Sequence, residues 1–136
     1  MGYYAHSWEN DFLIRLDRIA PMIADIQSHY DSDTRIAKTT DLFEIFIEFG
    51  LTIEQNDNFD IDNIYFEYQK FHSDDIEEFF SVIAQYVEQG SYITFLGEDD
   101  CLWAYYFDGL TWTDHKGQIT FPGMSMDGPK RTSKEG

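Results

Sequence analysis

The chain has 136 residues, 26 Asp+Glu against 9 Lys+Arg, a formal net charge of −17 and a sequence pI of about 4.2. That length predicts one domain, and an aromatic content of 18%, with 12 Phe and 9 Tyr, excludes acidic disorder over most of the chain. The balance also argues against a nucleic-acid binder that works through a basic surface. Cys101, the sole cysteine, cannot form an internal disulfide, so nothing calls for an oxidising compartment. No apolar run reaches the length of a membrane span. The start, Met1–Ser7, lacks the basic region and apolar stretch expected of a signal peptide, and it does not fit a myristoylation site, because His6 stands where Ser or Thr is needed. The expectation is a cytoplasmic protein with no membrane contact.

Residues 3–16 open with aromatics and the run Phe12-Leu13-Ile14, which predicts an edge strand or two. Asp17 is placed to cap a helix with Pro21 in its first turn and Ile19, Met22, Ile23, Ile26 and Tyr30 on one face. Residues 31–38 read as a loop. Thr39-Thr40-Asp41 form a second cap before the stripe Leu42, Ile45, Phe46 and Phe49, and Gly50 marks the stop. Strands are expected at 51–55 and 64–70, flanking the acidic turn 56–63. Ser73-Asp74-Asp75 would cap a third helix with the face Ile76, Phe79, Phe80, Ile83, Ala84 and Val87, ending at Gly90.

Residues 91–121 read as a three-stranded meander: Tyr92 to Leu96, Cys101 to Phe107, and a last strand containing Gln118–Phe121. Asp108-Gly109 is a strong hairpin-turn signal. Residues 123–136 lack periodicity and are expected to be a flexible tail, which leaves a single domain over 1–122. The predicted class is α+β, a mostly antiparallel sheet of five to six strands with about three helices on one face.

Chemical motifs are sparse. His6, His29, His72 and His115 stand far apart, and one cysteine cannot build a structural zinc site of the usual kind. No glycine-rich phosphate loop occurs, so neither a metal nor a cofactor is expected. Cys101 follows an acidic turn that would raise its thiol pKa, and it reads as a small buried hydrophobe. The turn Asn58–Asn63 approaches a calcium loop but lacks the sixth-position Gly, and Gln69 stands where Glu is required, so a solvated turn is expected. Trp8, Trp103, Trp112, Tyr3, Tyr4, Tyr105 and Tyr106 could form a stacking surface, although sheet core is the commoner use of such residues. Tyr106 is out of phase with Trp103 and Tyr105 and is expected to be exposed. The acid runs Asp74-Asp75, Glu77-Glu78 and Glu98–Asp100 suit a solvated face better than a tuned catalytic pair.

The charge is uneven along the chain. Residues 1–38 carry six acids and four bases, residues 39–108 carry seventeen acids and the single base Lys70, and residues 109–136 carry three acids and four bases. Such self-repulsion costs stability and is tolerated for solubility or for meeting a positive surface.

Met1-Gly2-Tyr3-Tyr4 and the segment Val87 to Asp99, continuing through Trp103, Phe107-Asp108-Gly109 and Gly117-Gln118-Ile119, resemble a set of small, mostly uncharacterised bacterial and phage proteins. The sequence departs from them in having Asp100 where Gly is common and in a more acidic middle. The resemblance implies a mobile-element or conflict-system setting and carries no catalytic residues. In size and charge the chain is also similar to phage-borne DNA mimics, anti-CRISPR proteins and toxin-immunity proteins.

The leading expectation is therefore a non-enzymatic acidic inhibitor that occludes the basic groove of a nucleic-acid-handling protein. Asp57, Asp60, Asp62, Asp74, Asp75, Glu77, Glu78, Glu98, Asp99 and Asp100 would face the partner, with Tyr106 as an anchor. One alternative is an immunity protein that neutralises a toxin nuclease. Another is a small-ligand binder or carboxylate enzyme built on the aromatic sheet.

Overall fold

The structure is a computed structural model and describes residues 2–117. The expected tail, the domain boundary at 122 and the expected strand residues Gln118–Phe121 lie outside the described residues. In chain order the elements are β1 (Tyr4–Asp11), α1 (Leu16–His29), α2 (Arg35–Lys38), α3 (Leu42–Ile47), β2 (Leu51–Gln55), β3 (Ile61–Phe66), β4 (Gln69–Lys70), α4 (Ser73–Ile83), a 3₁₀ turn (Ala84–Tyr86), β5 (Tyr92–Gly97), β6 (Leu102–Phe107) and β7 (Trp112–Gly117). A five-stranded antiparallel sheet in the order β4-β1-β5-β6-β7 and a two-stranded sheet β2-β3 make an α+β domain.

One face of the large sheet is apolar and covered. Ile93, Phe95, Tyr105 and Phe107 are buried there, in the same core cluster as Met22 and Ile26 of α1, Ile45 and Phe46 of α3, and Ile76, Phe79, Phe80 and Ile83 of α4. Phe80 meets Tyr105 and Phe107 edge-on, at 5.2 and 5.4 Å between centroids. The other face carries Tyr92, Thr94, Leu96, Leu102 and Tyr106, all partly or fully exposed. The alternation along β5 and β6 separates the two faces, as a half-buried sheet requires.

The two sheets meet along β1. A register shift between Ser7 and Asn10 breaks the regular edge of β1. Side chains then substitute for the ladder: Phe66 N–H donates to Ser7 Oγ at 3.0 Å, and Asn10 Nδ2 donates to the Ile64 carbonyl. The expected strand 64–70 is accordingly two pieces, interrupted at Glu67-Tyr68, with Gln69 and Lys70 pairing Ala5 and Tyr4.

Helix boundaries differ from expectation in an informative way. Asp41 caps α3 as expected, accepting from Phe43 and Glu44 N–H. Asp17 does not cap α1, which begins at Leu16 after Arg15, so Pro21 lies inside the helix rather than in its first turn. The cap arrives from afar: Asp60 Oδ1 accepts the Leu16 N–H at 2.8 Å. Ser73, Asp74 and Asp75 lie within α4, whose N-cap is His72, and complement its positive end instead of capping it. Residues 35–38, expected as loop, form a helical turn capped by Thr34. β7 starts at Trp112, directly after a connection in which Asp108 Oδ1 accepts from Leu110 and Thr111 N–H.

Candidate functional site

The predicted acids fall into two groups at opposite ends of β1. Tyr4, at its start, donates N–H to Glu98 Oε1, and Glu98 N–H donates to the Tyr4 carbonyl at 2.9 Å. Phe71 N–H donates to the Tyr3 carbonyl at 2.8 Å, which brings the start of α4 to the same end. Asp74, Asp75, Glu77, Glu78, Glu98, Asp99 and Asp100 therefore gather where α4 begins and β5 turns into β6. Beyond the other end of β1, Ile14 bridges Ile61, and Asp57, Asp60 and Asp62 sit there. β1 runs from Tyr4 to Asp11, about 23 Å at roughly 3.3 Å per residue, so the two groups do not form one surface.

Within the second group Asp60 is already engaged. Besides capping α1 it accepts from Asn56 Nδ2 at 3.3 Å, while Asn56 Oδ1 accepts from Asn58 and Asp60 N–H and closes the turn. Asp57 and Asp62 are exposed. Tyr106 is 43% exposed, as expected, but lies on the uncovered sheet face beside Tyr92 and His115, away from the α4 end.

The α4 end is held in place by hydrogen bonds. Asp99 accepts from the Tyr3 hydroxyl and from Cys101 N–H, and these bonds hold its carboxyl below the usual range. Gly97 permits this arrangement, because a Cβ there would collide with the Tyr3 hydroxyl. The Tyr3-Tyr4 start and the Gly97–Asp99 turn thus touch each other. Asp100 closes the turn at φ 66°, a left-handed backbone position that Gly takes without strain and Asp tolerates.

Cys101 is exposed rather than buried, because β6 begins only at Leu102. Its thiol is pushed up by the contact with Asp99, opposite to what a nucleophile needs. Glu77 turns toward the sheet and accepts from the Tyr105 hydroxyl at 2.8 Å; burial, then this bond, raises the phenol pKa far above its ordinary value. Glu78 meets His29 Nε2 at 2.8 Å. Asp74, Asp75, Glu98 and Asp100 are exposed.

All but Asp127 and Glu135 of the 26 carboxylates lie in the described residues, yet only Glu48 and Glu88 pair with an arginine there. Among the described residues no group of three or more His, Cys, Asp or Glu is placed to hold a metal ion, and no helix is long and apolar enough to cross a membrane.

Sequence reasoning did not find the pocket of about 480 Å³ at this same end. Its walls are Tyr3, Phe71, Trp103 and Tyr105, with Ser73 and Glu77 from α4, Asp114 and Lys116 from β7, and Cys101 and Leu102. Trp103 is fixed by stacking on Phe95 at 5.6 Å and by a T-shaped contact with Phe71 at 5.1 Å. The pocket was hidden because β7 brings its wall residues from a polar, exposed run without apolar alternation. The register from Phe107↔Trp112 to Trp103↔Lys116 puts Asp114 and Lys116 on the helix-side face, beside Tyr105 and Trp103. No protein-family model matches this chain, nor does any curated protein or solved structure.

Proposed function

We propose that this protein is a cytoplasmic, non-enzymatic inhibitor that binds the basic, nucleic-acid-handling surface of another protein and occludes it. The observation that carries the reading is the α4 end. Asp74, Asp75, Glu98 and Asp100 face solvent there without a cationic partner among the described residues. Fixed, unneutralised carboxylates offer lysine and arginine side chains what phosphates offer them, charge-assisted hydrogen bonds to anionic oxygens. Tethering of the Glu98-Asp99 turn to Tyr3 and Tyr4 holds the turn that carries Glu98 and Asp100 in place, which lowers the ordering cost of association. Complementary charge gives fast association that weakens as salt rises.

The test begins with the immobilised protein, host lysate, a salt-gradient elution and mass spectrometry of the fractions. The captured protein is then purified and titrated with this chain in the presence of its own nucleic acid. The expected result is a basic protein that elutes in one salt step and releases its nucleic acid one-for-one. Capture is lost in Asp74→Lys/Asp75→Lys/Glu98→Lys and retained in Asp57→Lys/Asp62→Lys. A retained partner that keeps its nucleic acid bound, or no basic protein retained at low salt, refutes the reading.

A further inference from the structure

The pocket at the α4 end joins aromatic walls, which also pack on the core, to two carboxylates. Four aromatic side chains, Tyr3, Phe71, Trp103 and Tyr105, converge on a volume of about 480 Å³, inside the range of small-ligand sites, roughly 300–1,000 Å³. Aromatic faces carry negative potential and attract cations. The pocket's acidic groups are the carboxylates of Glu77 and Asp114, and its single cation, Lys116, is exposed and makes no ion pair among the described residues. Asp74 and Asp75 answer the positive end of α4 beside Ser73. Glu77 Oε2 is occupied by the Tyr105 hydroxyl, which orients the carboxylate and leaves Oε1 without a hydrogen bond among the described residues.

We propose that this pocket receives a guanidinium group, supplied by an arginine side chain of the bound partner. Guanidinium is planar and weakly hydrated, so it stacks on aromatic walls and places its N–H fork on a carboxylate; an ammonium does neither as well. The arginine source rests on the reading of this end as a partner-binding surface. The cation chemistry does not.

The experiment uses the full chain, ¹⁵N-labelled, with ethylguanidinium as probe and the three indole N–H signals as readout. Trp103 is assigned with Trp103→Phe, and exposed Trp8 is the internal control. Saturable movement of the Trp103 signal, with Trp8 unmoved, is expected. Butylammonium should bind more weakly and neutral butyramide not at all. Glu77→Gln, which keeps an acceptor for Tyr105, and Asp114→Asn should each weaken binding about fivefold, whereas Asp62→Asn changes it less than about twofold. Blocked Gly-Arg-Gly peptide binding as well as ethylguanidinium supports the side-chain source. Binding of the free cation with exclusion of the peptide overturns that source in favour of a small-molecule cation.

Equal binding of butyramide, or equal movement of Trp8 and Trp103, overturns the guanidinium site itself. That failure is separable from failure of the inhibitor reading, because salt-dependent capture by Asp74, Asp75 and Glu98 does not require the pocket.

Discussion

Replacing Asp60 by Ala tests whether a carboxylate expected at the partner surface is instead a structural cap. Its Oδ1 takes the first free N–H of α1, that of Leu16, and its Oδ2 takes Asn56 Nδ2. Loss of a capping acceptor costs about 0.5–2 kcal/mol, and loss of a negative charge at a helix N-terminus about 0.3–1 kcal/mol. Removing one acid from an overcharged chain returns a few tenths of a kcal/mol. A net loss of about 1.5–2 kcal/mol is expected. At roughly 4 °C per kcal/mol for a domain of this size, Tm should fall by about 6–8 °C. Asp60→Asn, which keeps an acceptor, should lose less than half of that. Asp57→Ala and Asp62→Ala, at exposed positions without an ion pair among the described residues, should stay within about 0.5 kcal/mol of the parent. Thermal and urea unfolding followed by circular dichroism read all four. If Asp60→Ala melts within a degree of Asp62→Ala, the cap is not holding α1 and Asp60 returns to the ordinary surface acids.

Two tyrosines should respond in opposite directions to loss of the hydroxyl. Tyr105→Phe removes the bond to Glu77 and should cost about 1 kcal/mol, whereas Tyr30→Phe deletes a buried hydroxyl without a partner among the described residues and should be neutral or stabilising; urea midpoints compare them. Burial, followed by the charges of Glu78 and Asp75, raises the Tyr30 phenol, and burial with neighbouring carboxylates does the same for Tyr3 and Tyr105. A group whose folded pKa is raised contributes stability that is complete below its unfolded value and is lost as pH rises toward the folded one. The urea midpoint should therefore be insensitive to these groups up to about pH 10 and fall above it, with phenolate absorbance lagging until unfolding. Full tyrosine ionisation near pH 10 in a still-folded protein would contradict the assignment.

The sequence was legible where the deciding interaction is local. The apolar stripe of α4, the Asp41 cap and the Asp108 turn all act within a few residues, and each appears where the pattern placed it. It was illegible where the partner is remote. The start of α1 depends on Asp60, 44 residues away. The break at Glu67-Tyr68 depends on an irregularity in β1, and β7 offers little apolar alternation because Thr113, Asp114, His115 and Lys116 are all exposed. The site follows the same rule. Acid runs announced exposed carboxylates, but the pocket draws Tyr3, Phe71, Trp103 and Asp114 from four separate segments, and no spacing in the chain signals their meeting.

That division changes what the charge imbalance means. Seventeen acids against Lys70 over residues 39–108 suggest a single anionic face when read along the chain. The fold instead separates Asp57, Asp60 and Asp62 from the acids of the α4 end by the length of β1. That is about 23 Å, nearly three times the Debye length of about 8 Å at physiological salt. Repulsion between the two groups is therefore largely screened, and each group bears mainly its own. At the remote group Asp60 offsets part of the cost by capping α1. At the α4 end Asp99 is stabilised by the Tyr3 hydroxyl, Glu77 by Tyr105, and Asp74 and Asp75 by the positive end of α4, whereas the Asp100 carboxylate has no such partner among the described residues. On the proposed reading, the repulsion that remains among these acids is relieved when a cationic partner binds, and the aromatic pocket lies at the same end.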